Sequence, residues 1–183
     1  MWKSFAAITL STVACAAIAP AASQAHHAGG RQLEGLNSEQ VREARQATRK
    51  FKDIEVALAA GYAKASDCED DPKYGGMGLH YTNAALVEDG QLDVTRPEVL
   101  VYQPARGGKL RLGAVEYFQV DADQDLATDD DRPSLFALPF DGPMLGHDAD
   151  MPIHYDLHVW LYRHNPAGLF AMWNPRVHCP VER

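Results

Sequence analysis

MPIHYDLHVWLYRH, residues 151–164, carries two patterns at once. With a period of two, one face holds Ile153, Tyr155, Leu157, Val159 and Leu161, an ordinary core face for a strand. The other face holds His154, Asp156, His158, Trp160, Tyr162 and His164. A solvated strand face carries Lys, Glu, Thr and Ser, so three imidazoles and a carboxylate among aromatics mark the wall of a site. A helix would set His154 and His158 one turn apart, as chelating pairs are. The β-branched and aromatic residues, and the brackets Pro152 and Pro166, favour a strand instead.

Working outward, the N-terminus reads as a secretory signal over residues 1–25. Met1-Trp2-Lys3 starts positive, Phe5 to Ala19 is apolar, and Ser23-Gln24-Ala25 offers a small-x-small cleavage site. The apolar run is too short to span a bilayer, and no other transmembrane segment is legible. A lipoprotein reading through Cys15 is weaker, because Thr12 stands where such signals carry a larger aliphatic residue. The expected location is periplasmic or extracellular. The chain is acidic, with 25 Asp and Glu, 17 Lys and Arg and a net charge of -8, which argues against nucleic acid as a partner.

Cleavage after Ala25 removes Cys15 and leaves Cys68 and Cys179. In an oxidising compartment a disulfide is the simplest reading, with roughly 4 to 5 kcal/mol of stabilisation on the chain-entropy model. The rival reading makes them metal thiolates beside His178.

Residues 26–36 form a flexible arm, and residues 37–183 a single domain. Asn37 or Ser38 caps an amphipathic helix, near 38–60, whose stripe runs through Val41, Ala44, Thr48, Phe51 and Leu58, with Gly61 as its stop. Ser66 to Gly78 is a loop, and Leu79 to Asn83 a short strand. Glu98 to Gln103 and Lys109 to Gln119 are stronger strands joined at Pro104-Ala105-Arg106-Gly107-Gly108. A helix followed by hairpin-linked strands gives an α+β fold: one long N-terminal helix packed on a mainly antiparallel sheet with long loops.

Several motifs, taken together, have a familiar pattern. They are Gly78-Leu79-His80-Tyr81-x-Asn83, Pro97-Glu98-Val99-Leu100-x-Tyr102, Val115-Glu116-Tyr117 and Gly142-Pro143-Met144-x-Gly146-His147. His154-Tyr155-Asp156-Leu157-His158-Val159-Trp160, His164-Asn165-Pro166-Ala167-Gly168-x-Phe170 and Asn174-Pro175-Arg176-Val177-x-Cys179-Pro180 complete the set. From Phe51 to Pro180 the chain resembles a functionally uncharacterised family of secreted bacterial proteins. The resemblance implies a distinct domain and supplies no activity.

Function therefore rests on the residues. In a strand, His154 and His158 lie roughly 13 Å apart and cannot share an ion, whereas same-face neighbours roughly 6.6 Å apart can. The pair is His158 with Asp156, or His154 with Asp156, completed from other strands. His80 and Glu116 are the best outside candidates: each sits between apolar residues, and a carboxylate there is costly to bury unless paired or bound to a cation. His147 is a further one. Histidines with one or two carboxylates suit a divalent transition metal: Zn, Cu, Fe or Mn.

The rival readings are a metal-free enzyme with His158 as base oriented by Asp156, and a non-catalytic small-ligand-binding or structural module whose polar strand is a satisfied network. Asp121-x-Asp123-x-Asp125 begins like a calcium loop, but Leu126 and Arg132 replace its glycine and final glutamate, so a solvated acidic loop is expected. His26 as a new N-terminus is read as a tail, not a copper ligand. No Gly-x-Ser-x-Gly and no phosphate-binding glycine loop occurs.

Overall fold

The computed structural model describes residues 38–146 and 151–180. The expected signal segment, the arm at 26–36 and His147 lie outside these. Seven strands form an antiparallel sheet. They are β1 (Ala63–Lys64), β2 (Glu69–Asp71), β3 (Gly75–Thr82), β4 (Val99–Pro104), β5 (Leu110–Val120), β8 (Asp141–Met144) and β9 (His154–Val159). Their order is β1-β3-β4-β5-β9-β8, with β2 also paired to β3, while β6 (Ser134–Leu135) and β7 (Leu138–Pro139) form a separate ribbon. The fold is α+β with few helices, as the hairpin pattern implies.

Helical residues 38–48 (α1) run into a 3-10 turn at Arg49–Lys52, and α2 covers Ile54–Ala59. The periodicity predicts one helix here, but Asp53 breaks it. Its backbone is extended and its side chain accepts from the Glu55 amide, so it caps a new helix. α2 ends before Gly61, whose φ of +94° lets the chain turn back into β1.

One face of the sheet meets these helices. Tyr81, Leu100, Tyr102, Val115, Tyr117, Tyr155, Leu157 and Val159 pack there with Phe51, Ala57 and Phe136. The buried phenols are hydrogen-bonded: Tyr102 donates to the Phe51 carbonyl at 2.6 Å and Tyr117 to that of Val94 at 2.7 Å. The opposite face carries a small cluster of Val101, Ala114, Trp160 and Val177 at one end, and polar side chains elsewhere.

Two corrections to the sequence reading concern strand ends. β3 starts at Gly75 rather than near Leu79, because the C-terminal segment supplies Gly76 with partners. The Gly76 amide donates to the Asn174 and Val177 carbonyls, at 3.2 and 2.8 Å. A Cβ at Gly75 would collide with the Asn174 carbonyl. β9 stops at Val159, so the alternation fails beyond it. Tyr162 lies with the helix-side core, its hydroxyl hydrogen-bonded to Thr48 Oγ1 and the Arg45 carbonyl, and His164 is exposed.

Cys68 and Cys179 are joined, 111 residues apart in sequence, and fasten the C-terminal segment beside β2 and β3. The thiolate-ligand reading is thereby overturned. The double variant Cys68→Ala/Cys179→Ala is expected to lose about 4 to 5 kcal/mol of unfolding free energy on the loop-entropy model. A urea midpoint unchanged from wild type would contradict this.

Candidate metal centre

Register decides which side chains meet. Glu116 on β5 pairs with His158 on β9 and with Val99 on β4, and Phe118 pairs with Asp156. Residues paired across a sheet share a face. His80 on β3 pairs with Val101, one pleat along the same face from the Thr82–Val99–Glu116–His158 row. Three strands thus bring His80, Glu116 and His158 to one spot, and all three are buried.

One ligand atom from each lies within 4.8 Å of the other two. Glu116 Oε2 is 3.3 Å from His80 Nε2 and 3.4 Å from His158 Nε2. Bonds of about 2.0 to 2.2 Å at a tetrahedral angle separate ligand atoms by roughly 3.4 Å, so these two edges are of a size to enclose a small ion.

The remote ring nitrogens also face polar groups. Ser66 Oγ lies 2.8 Å from His80 Nδ1 and 2.9 Å from the Asp67 carbonyl. If the hydroxyl donates to that carbonyl, it accepts from Nδ1–H, and the His80 Nε2 lone pair is turned toward Glu116. Asp156 Oδ1 sits 3.7 Å from His158 Nδ1, beyond hydrogen-bond length but close enough for charge attraction. Neither His158 nitrogen has a hydrogen-bond partner among the described residues, and neither does Glu116 Oε2. Buried polar atoms of this kind call for an explanation, and a bound cation is one.

The electrostatics are tightly coupled. Burial pushes the Glu116 carboxyl up to about 8, with the positive charge of His158 pulling the other way. Burial alone would depress the His158 imidazolium, but Glu116 and then Asp156 outweigh it and raise it to about 9.

Of the five residues the sequence singled out, three converge. Asp156 stands beside them, next to His158. His154 is buried two register positions further along: its ring stacks on Phe118 with centroids 4.6 Å apart, and its Nδ1 lies 3.0 Å from the Pro152 carbonyl. Neither of the ligand pairs read within the single strand is the set that converges. Ser66 carries no spacing signal and reaches His80 only because the β1 strand and the residues after it run beside β3. Glu69 Oε1, 3.9 Å from His80 Nδ1, arrives the same way. A cavity of about 340 Å³ opens beside the three residues, its remaining wall largely apolar, with Val87, Val99, Phe118 and Met151.

The acidic loop is exposed from Ala122 to Asp131, as expected of a solvated turn, but Asp121 at its start is buried. Asp123 and Asp125 accept from nearby amides, and Asp131 accepts from the Ala122 amide and the Tyr155 hydroxyl. No helix among the described residues is long and apolar enough to cross a membrane. No family model matches the chain, and no curated protein or solved structure matches it.

Glu98 lies just before β4, buried, with its Oε2 accepting from the Phe118 amide at 3.1 Å. Burial raises its carboxyl from 4.5 to about 7. The folded state then holds a proton that the unfolded chain releases, so stability from this group is full below 4.5 and lost as pH rises through about 7. The difference is on the order of 3 kcal/mol. Glu98→Gln is expected to flatten the fall in melting temperature between pH 4.5 and 7 relative to wild type; the same slope in both proteins would count against this.

Proposed function

We propose that the protein binds one divalent transition metal ion through His80 Nε2, His158 Nε2 and a Glu116 carboxylate oxygen. The observation that carries this reading is the orientation of the imidazoles. Each presents Nε2 to the same carboxylate oxygen, while its Nδ1 faces a polar group behind it, Ser66 Oγ at 2.8 Å for His80 and the Asp156 carboxylate at 3.7 Å for His158. Carboxylates and other polar groups behind a ligating histidine fix its tautomer and raise its basicity. Two histidines with one glutamate suit Zn(II) or Fe(II), with Mn and Cu as further candidates.

Three protein ligands leave coordination positions for water or a small molecule, and the cavity adjoins all three residues. A metal bound there would act as a Lewis acid and lower the pKa of its water. This favours a centre that handles a small molecule over one that only fastens the fold. The disulfide and the N-terminal apolar segment support a periplasmic or secreted location. Asp156 is assigned as a positioning residue for His158.

A metal-free acid–base enzyme is the second reading, favoured by the placement of His158 between Glu116 and Asp156. Metal analysis separates the two. Protein purified from its native compartment should carry one ion per chain, and His158→Gln and Glu116→Gln should carry almost none while keeping the wild-type circular dichroism. Asp156→Asn should weaken metal binding roughly 10- to 100-fold. Equal metal content in wild type and the two ligand variants would sink the metal reading.

A further inference from the structure

A second cavity, of about 550 Å³, lies at the β4–β5 hairpin, away from the candidate metal centre. Arg106, Lys109 and Arg111 of the hairpin line it, with Arg163 from the segment after β9 and Arg176 from the C-terminal segment. These are five of the 17 Lys and Arg in a chain of net charge -8, and among the described residues no Asp or Glu lines the same cavity. Among the described residues the Lys and Arg ion pairs use Arg42, Lys64, Arg96 and Arg132, and none uses these five cations.

Such crowding is unfavourable in isolation, since like charges raise one another's energy and no described residue of the wall supplies a carboxylate to offset them. One cation of the cleft, Arg163, is held in place. Arg163 Nη2 donates to the Arg176 carbonyl at 2.7 Å, which ties the two segments together, while Arg163 Nε is buried without a hydrogen-bond partner. The Nη groups of a guanidinium fixed in this way keep further donors suited to an oxyanion.

We propose that this cleft binds a soluble anion bearing two or more phosphate or sulfate groups. A single small carboxylate would leave most of the five charges unmet. A planar anionic bilayer fits less well, because the charges line a concavity and the acidic remainder of the chain repels such a surface. The inference does not rest on the metal centre.

The test is titration calorimetry with inorganic tripolyphosphate, with acetate as the singly charged control. It uses wild type, Arg111→Glu/Arg176→Glu and His158→Gln. Arg111 and Arg176 are exposed, so their exchange should leave circular dichroism and melting temperature unchanged. Tripolyphosphate should bind wild type and His158→Gln alike and weaken as salt is added, and the double variant should bind at least about tenfold more weakly. Absence of binding at low salt overturns the proposal, and so does binding equal in the double variant. Loss of binding in His158→Gln with none in the double variant would also overturn it, since the probe would then be held at the metal centre. Flotation with phosphatidylcholine vesicles containing phosphatidic acid separates the sources: capture by vesicles without binding of free tripolyphosphate overturns the soluble-anion assignment.

Discussion

The pairing of Glu116 with His158 across β5 and β9 is the constraint on which the site depends. Both are ionisable, both are buried, and both lie in strands whose other face is the main core. A one-residue slip of β9 against β5 would turn every side chain of β9 over. The imidazoles would enter the tyrosine-rich core, and Leu157 and Val159 would face the carboxylate. The register that builds the core therefore also builds the site.

That arrangement has a cost. Burying a carboxylate and an imidazole strips them of water, and attraction between them offsets this only where geometry is good. Here His158 lies near two carboxylates without hydrogen-bonding to either, Glu116 at 3.4 Å and Asp156 at 3.7 Å. A core built for stability alone would place apolar residues at these positions. Tyr102 and Tyr117 on the opposite face show the alternative, each hydroxyl donating to a carbonyl at ordinary length. The contrast between a satisfied polar network on one face and an unsatisfied one on the other points to function on the second.

Much of this is visible in residues 151–164. Alternation identified β9, separated its two faces, and excluded His154 and His158 as a shared pair by distance alone. The flanking apolar residues around His80 and Glu116 marked them as buried polar side chains. Other features were hidden. The break at Asp53 turns on one side chain reaching an amide two residues on, a local competition that helical periodicity does not register. Tyr162 and His164 continue the alternation in letters but not in space, because the chain leaves the sheet after Val159. Ser66 stands 14 residues from His80 with nothing to link them until β1 folds onto β3. The basic cleft draws its cations from three separated segments, so no charge run announces it.

The amino-acid order alone determined which strand is polar on one side, which side chains would be expensive to bury, and that the fold is α+β. Those properties depend on spacing along the chain, where the period of a strand and the chemistry of each side chain suffice. Only the tertiary structure decided that Glu116 stands between His80 and His158, that His154 stacks on Phe118 instead, and that five cations share one hollow. Each of those facts depends on which strands are neighbours and in what register, and the burial of whole faces selects both.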